Sequence, residues 1–354
     1  SHKHSMPPKE PPQPSQAQMQ SAMNDMQHVA MAIQPSPSDP NAEVPLEKII
    51  LACASAPGML ASIPEEHPSK TDAVEEAFEK AGVKLDWINT EGISKKNAIL
   101  LYWKLHRQQG DYKKIDDDLD TPTQQHASAC LQITMKLMMQ AQMLLPHQGW
   151  VAATVGIARA SALFANQLWS HEDKEALDIM EEVLKGEGLR APKLRLEAKC
   201  SSKKVAQSAK VTLKVTLHRD HHGFNGKKPP QPADPSGNYE AYWMYVYVVG
   251  ASPEEPNTFA AIQPLMCKAL KDKTIEAEPT FEAPARAGPL TVAVCVTSTS
   301  TVGVSLEEKV TLTVTDQVDP AAQVLATAKA IEKMAVQQQA GDADEEDDIG
   351  IKLK

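Results

Sequence analysis

Hydrophobic and polar positions change their period once along this chain, at Pro192. Before it, apolar residues recur every three to four positions, as on one face of a helix. After it they alternate, as along a half-buried strand. Leu194, Leu196, Ala198 and Cys200 alternate with Arg195, Glu197 and Lys199, and Ala209, Val211, Leu213, Val215 and Leu217 alternate with Lys210, Thr212, Lys214 and Thr216. Further strands are predicted at Ile275/Ala277, at Leu290–Val296 and at Val310–Val314. The densest stretch is 239–249, which holds four of the six tyrosines. Ala241, Trp243, Tyr245 and Tyr247 make one face, and Tyr242, Met244, Val246 and Val248 the other. A strand apolar on both faces is expected to be central and covered on both sides, with Trp243 in the core. About seven strands separated by Pro/Gly-rich turns predict an immunoglobulin-like or fibronectin-type-III-like β-sandwich over 191–318.

The helical half is expected over 46–190. Leu46–Cys53 follows Pro45 and is stopped by Pro57-Gly58, and Thr71-Asp72 opens Ala73–Ala81, which Gly82 closes. Ser94 is the expected cap of a helix over Lys95–Gln109 with Ala98, Leu101, Tyr102 and Leu105 on its apolar face. The clearest helix starts at Thr121-Pro122, carries Ala127, Cys130, Thr134, Leu137, Ala141 and Leu145 on one side, and is expected to end at Pro146. Trp150–Trp169, rich in small residues, and Lys174–Lys185 follow. Residues 1–45, punctuated by prolines, read as disordered or linker. Within them Met19, Met23, Met26, Ala30 and Ile33 fall at helical spacing and suggest a short segment docking on its own protein. Asp319-Pro320 opens a C-terminal helix over 319–341, stopped by Gly341, and an acidic tail occupies 342–354.

Composition narrows the function classes. With 354 residues, net charge −10 and no apolar run near the roughly 18 residues of a membrane span, the sequence predicts neither nucleic-acid binding nor a transmembrane helix, and no signal peptide is recognised. The five cysteines form no CxxC pair and read as reduced core thiols of a cytosolic protein, although the strand pattern also permits a Cys200–Cys295 bridge.

No Walker loop, GxSxG, HExxH or GxGxxG is present, so no catalytic residue, metal ligand or cofactor is assigned. His218, Asp220, His221 and His222 cluster after a strand and read as a solvated loop rather than a metal site. Eleven Lys/Arg against three acids fall between Glu187 and Lys228. Arg195, Lys199, Lys203, Lys204, Lys210, Lys214, Lys227 and Lys228 are therefore either an ordinary solvated sheet face or a basic surface for anionic lipid, ribosomal RNA or an acidic protein loop. Asp342, Asp344, Glu345, Glu346, Asp347 and Asp348 put six acids in seven residues, expected to be disordered and to serve either solubility or a basic partner.

Two groups of segments resemble the cytosolic part of the Sec-sixty-three family, membrane J-proteins that assist translocation into the endoplasmic reticulum. In the helical half these are Lys96–Leu105, Gly149-Trp150 and Asn166–Trp169. In the strand half they are Tyr239–Val246, Phe281–Pro284 with Gly288, and Thr291–Val296. The resemblance spans roughly 46–316 and is more specific in the strand half. It implies a non-enzymatic accessory subunit at the cytosolic face of the endoplasmic-reticulum membrane, with two partners: the sandwich would touch the protein-conducting channel, and the acidic tail would bind a small basic membrane subunit. The family's membrane spans and its J-domain, whose His-Pro-Asp motif stimulates a lumenal Hsp70, are not in this sequence and would lie upstream. The short acidic run, followed by Ile349–Lys354, departs from the longer family tail. The same helical-plus-sandwich unit also ends Ski-two-like RNA helicases, the alternative reading, but no helicase motor is present.

Overall fold

A computed structural model describes residues 14–222, 240–267, 269 and 271–343. The chain is helical in its first half, strand-rich in its second, and ends in a helix. The helices are α1 (Gln16–Ala32), α2 (Leu46–Ala54), α3 (Pro57–Ser62), α4 (Asp72–Lys80), α5 (Gly92–His106), α6 (Lys113–Asp118), α7 (Thr121–Gln148), α8 (Val151–Asn166) and α9 (Lys174–Gly186). They share one core that includes Ile33, Ile50, Phe78, Leu101, Trp103 and Phe164.

Several helix boundaries differ from the sequence expectation. Within the expected linker, residues 16–32 form the docking helix that their apolar spacing suggests: α1 is opened by a Ser15/Gln18 capping box and buries Val29, Ala30 and the following Ile33. Met19 and Met23, on the expected docking face, are about half exposed. Pro57 starts a helix instead of only stopping one, because the N–H it lacks would have no helical partner at that position. Asp25 of α1, 8% exposed, accepts the Gly58 N–H at 2.7 Å, and a Cβ on Gly58 would meet that carboxylate at 2.4 Å. Ser94 lies inside α5. The helix starts at Gly92, and Glu65 from a distant loop accepts the Ile93 N–H at 3.1 Å. Pro146 lies within α7, which ends at Gly149 with a left-handed φ of 73°. Proline near a helix end forfeits one backbone bond but keeps a helical φ, whereas glycine adopts the left-handed turn without a Cβ penalty.

The strands are β1 (Leu194–Cys200), β2 (Lys204–Gln207), β3 (Lys210–Arg219), β4 (Glu240–Val248), β5 (Thr258–Cys267), β6 (Thr274–Ala277), β7 (Thr280–Glu282), β8 (Gly288–Thr297) and β9 (Ser305–Val318). One sheet runs β1-β3-β6, with β7 also paired to β3. The other runs β2-β9-β8-β4-β5 and is antiparallel except for β2 beside β9. Val211, Leu213, Val215 and Leu217 of the first sheet meet Tyr242, Met244, Val246, Val292, Val294 and Leu312 of the second in one core. The strand β5, not anticipated from sequence, contains Pro264; an edge strand tolerates proline because one side of its backbone needs no partner.

The strand β4 is interior to its sheet, and its second face is covered only in part. Val151 and Ala158 of α8 pack on Tyr245, Tyr247, Ala293 and Cys295. Trp243 lies beyond this cover, between Pro264 and Thr297, and is 37% exposed. The expectation that Trp243 is a core residue is thus corrected. All five cysteines are free. Cys200 lines the core between the sheets while Cys295 faces α8, so a Cys200–Cys295 bridge is ruled out by placement.

The β8–β9 connection joins the two halves. Val302, 3% exposed, is part of the helical core, Asn166 Nδ2 donates to the Ser300 carbonyl at 2.9 Å, and the Gly303 N–H donates to His171 Nδ1 at 3.1 Å. Gly303 has φ +89°, and a Cβ there would meet Leu177 Cδ2 at 2.6 Å. The final helix, α10 (Pro320–Ala343), follows β9 almost without a break and runs through Gly341, two residues past the expected stop.

Candidate functional site

The sequence-predicted charged residues separate into two regions. On the outer face of the first sheet, pairing of β1 with β3 brings Arg195, Lys199 and Lys214 together. Acids are interleaved with them. Arg195 lies 3.4 Å from Glu197 and 3.7 Å from Asp220, Lys199 lies 3.4 Å from Glu197, and Lys214 lies 3.9 Å from Glu276. This face is a mixed ion-pair lattice, and such exposed pairs are weak individually. Glu197 is held below the usual carboxylate range, chiefly by its hydrogen bond from Lys199.

The second region surrounds the root of α10. The Asp319 carboxylate caps the helix by accepting the Ala321 N–H at 3.0 Å, and the Asp319 N–H donates to Gln207 O at 3.1 Å, fixing the helix start against β2. A groove of about 460 Å³ opens there between the helix and the β3 and β7 strands. Its walls include Lys210, Phe281, Glu282, Leu325 and Lys329. Lys203 and Lys204 stand apart from that root, beside the middle of β9, where Lys204 pairs with Thr313 and Lys203 O accepts the Thr313 N–H at 2.8 Å. Lys203, Lys204, Lys210 and Lys329 form no ion pair among the described residues. Asp342 lies in the last turn of α10, while Asp344, Glu345, Glu346, Asp347 and Asp348, like Lys227 and Lys228, lie outside the described residues.

Of the histidine cluster, Asp220 and His222 are exposed in the turn after β3 and His218 lies within β3, 3.2 Å from Glu197, but His221 is not part of a solvated loop. His221 and Arg219 are 3% and 1% exposed, and both point at Glu240, which is fully buried. Arg219 Nε donates to Glu240 Oε2 at 3.0 Å, His221 Nε2 meets Oε1 at 3.0 Å, and Tyr242 O–H donates to Oε1 at 2.6 Å. Arg219 also donates to the Asp272 carbonyl. Burial alone would push the Glu240 carboxyl up, but the donors His221, Arg219 and Tyr242 outweigh it and hold it below the usual range. Burial, followed by the Glu240 charge, pushes the Tyr242 phenol well up. His221 Nδ1 lies 2.9 Å from the Lys193 N and 3.0 Å from the Lys193 O, so it finds a partner whether or not it carries a proton. The cluster ties the end of β3 to the start of β4 and so joins the two sheets. The signal for it was an acid two residues before Tyr242, on the core-facing side of an otherwise apolar strand.

A second buried polar group lies among the helices. Ser69 Oγ is 2.6 Å from His126 Nδ1, and His126 Nε2 is 2.7 Å from Asn97 Oδ1. Asn97 donates its amide to the Ala54 carbonyl at 3.0 Å, which leaves Oδ1 as the acceptor toward His126. His126 therefore carries its proton on Nε2 and takes the Ser69 hydroxyl hydrogen at Nδ1. The order serine–histidine–amide resembles a hydrolytic relay. Ser69 is only 3% exposed, however, so no substrate reaches it without opening the helical core, and the trio ties α5 and α7 to the segment before α4. Among the described residues no group of three or more His, Cys, Asp or Glu could hold a metal ion, and no helix is long and apolar enough to cross a membrane.

The segments carrying the sequence resemblance are largely interior. Trp103 is fully buried and donates to Asp116 at 3.1 Å, and Asn166 contacts the β8–β9 connection. No protein-family model and no curated protein matches the chain. Among solved structures, a CARDB domain from Pyrococcus furiosus in complex with di-metal ions is 18% identical with TM-score 0.24, over 36% of this chain and 91% of that one. A beta-glucosidase from Listeria innocua is 12% identical with TM-score 0.23, over 37% of this chain and 18% of that one. A beta-glucosidase from Erythrobacter marinus is 6% identical with TM-score 0.23, over 36% and 16%. The chain thus spans less than a fifth of either glucosidase, and these likenesses carry no argument about fold or function.

Proposed function

We propose that the chain is a non-enzymatic interaction subunit of the endoplasmic-reticulum translocation machinery, acting at the cytosolic face of that membrane as in the Sec-sixty-three family. In this reading the two sheets are an immunoglobulin- or fibronectin-type-III-like sandwich that contacts the protein-conducting channel. The acidic run Asp342–Asp348 binds a basic segment of a small membrane subunit. The observation that carries it is the exposed helix α10, whose last turn holds Asp342 and which leads in sequence into the other five acids. The order of helices, sheets, helix and acidic run agrees with the resemblance. No catalytic role is assigned, because the chemically organised clusters around Glu240 and His126 are sealed in cores.

Attraction between exposed charges acts over about 8 Å at physiological ionic strength and weakens with salt. Binding of the basic subunit should therefore fall steeply with salt, mainly through slower association. Pull-down of translocon components with wild-type chain and with all six acids changed to Asn or Gln tests the assignment. The neutralised chain should lose the basic subunit and keep the channel. Unchanged recovery of the basic subunit overturns the tail assignment, and failure of the wild type to recover the channel overturns the sandwich assignment.

A further inference from the structure

A strap crosses the seam between the two halves. Residues 33–45, which join α1 to α2, are pinned to the β4–β5 connection by Asn41, whose Nδ2 donates to Glu255 O at 2.8 Å and whose Oδ1 accepts the Asn257 N–H at 2.7 Å. Two residues on, Glu43 accepts from Arg159 Nη1 of α8 at 2.9 Å. This ion pair stands between two cavities. One, of about 280 Å³, is lined by Leu46, Leu163 and Trp169, and the other, of about 230 Å³, by Val151, Val155 and Tyr247; Glu43 and Arg159 belong to both. Ligand clefts form preferentially at such junctions.

Arg159 is held by less than it is able to bind. A guanidinium presents its N–H donors in a fixed fork that matches a carboxylate through two parallel bonds. Among the described residues Glu43 takes a single bond, through Nη1, and the Arg159 Nε–H is buried with no partner. A buried donor left unmet is destabilising. The neighbouring groups are committed elsewhere. His171 uses its two ring nitrogens on the Arg159 carbonyl and the Gly303 N–H, and Glu307 accepts from Tyr247 and Lys309. Glu43 itself is 74% exposed on the strap, so little holds it in place. We propose that Arg159 binds a carboxylate of a partner peptide, an acidic side chain set between apolar ones, in exchange for Glu43. A carboxylate aligned with Nε and one Nη satisfies the donor that Glu43 leaves unmet, and the flanking apolar side chains enter the two cavities. Glu172 and Glu307 also line those cavities, which favours a single negative charge over a phosphate dianion. Glu43 shows the route, because it is itself a peptide carboxylate that reaches the guanidinium from a segment without regular structure.

Titration of the full chain, isotope-labelled on arginine, with an acetylated and amidated Leu-Ala-Glu-Ala-Leu peptide tests this. The readout is the Arg159 Nε–H signal by NMR, assigned through Arg159→Lys. The expected result is a saturable movement of that signal. The same peptide with Gln in place of Glu should bind about tenfold more weakly, the loss usual for a charge-assisted bond. Glu43→Gln removes the competitor and should tighten binding by about threefold while leaving the melting temperature nearly unchanged, as for other exposed ion pairs. An unmoved Arg159 signal overturns the inference, as does a Gln peptide that binds equally well or an affinity indifferent to Glu43→Gln. Glutarate is the small-molecule arm and should bind more weakly than the peptide. Equal affinity for glutarate assigns the site to a free organic acid and overturns the peptide partner, and inorganic phosphate competing as well as glutarate overturns the choice of a carboxylate. None of these readouts involves Asp342–Asp348, so failure here and failure of the pull-down above are separate results.

Discussion

Glu240→Ala is the sharpest test of the packing described here. The carboxylate accepts from Arg219, His221 and Tyr242, and none of these side chains reaches solvent to replace it. Removing one partner of a buried ion pair costs about 3–5 kcal/mol, because the other charge stays buried. Each orphaned neutral donor costs about 1–3 kcal/mol when its bond is lost, though these losses overlap. Arg219 keeps its bond to the Asp272 carbonyl, which offsets part of the loss. A net destabilisation of about 4 kcal/mol follows, enough to move a urea midpoint by at least about 1 M. Urea unfolding of the sheet half is the assay, with Glu240→Leu, Arg219→Met and their combination completing a cycle. Replacing both charges by apolar groups is often close to neutral, so the double variant should recover at least half of the loss seen with Glu240→Leu. A loss under about 1 kcal/mol for Glu240→Ala, or a double variant as poor as the sum of the singles, would refute the view that charge pairing holds this end of the sheets. The pH dependence has a definite sign. A carboxyl held below its ordinary value of 4.5 gives stability that is fully present above that pH and is lost as pH falls through the lowered value. Acid should therefore loosen the sheet half of the wild type more than that of the Arg219→Met/Glu240→Leu variant.

Trp243→Ala should move the urea midpoint less than half as far as Met244→Ala, since Met244 is fully buried and such truncations cost about 2–5 kcal/mol. His126 is pushed down to about 4 by burial, helped by the neighbouring His67 and Lys96 charges. Its imidazole should titrate near that value by NMR. Because the unfolded state binds that proton more readily, stability should fall as pH drops from its ordinary 6.5 toward 4. Of the five thiols, Cys200 alone is not fully buried, and burial pushes Cys53 and Cys295 up to about 12. A thiol reagent should label one cysteine quickly in the folded chain and all five in urea. Rapid labelling of Cys53 would contradict the core placement.

The helix-then-strand order was legible because the hydrophobic period changes once and decisively. Along β3 the buried residues Val211, Leu213, Val215 and Leu217 are those that alternation selects. What escaped was set by distant partners. The α5 start depends on Glu65, 28 residues before Ile93, so the local Ser94 signal misled. Trp243 and Tyr245 share a face, and the packing of α8 on Tyr245 but not on Trp243 decides that one is covered and the other 37% exposed. Arg219 and Glu240 are 21 residues apart and meet because β3 and β4 belong to facing sheets. Of the eight predicted basic residues, Arg195, Lys199 and Lys214 do share a face, but strand register also inserts Glu197 and Glu276 among them. Alternation alone could not weigh that.

The path of β9 has a mechanical consequence. It leaves the Val302 plug in the helical core at one end and becomes α10 at the other. Between them it is paired to β8 over ten residue pairs. Its ladder bonds run perpendicular to the strand, so tension applied through the C-terminal helix would load them in shear, all together, rather than peel them one at a time. Behind that ladder stands the plug, anchored by Asn166 and His171. A partner that grips the acidic end could therefore transmit a pull through the sheet into the helices before the fold gives way. In an optical-trap experiment the chain would resist extension most strongly when held at 151–166 and at the C-terminus.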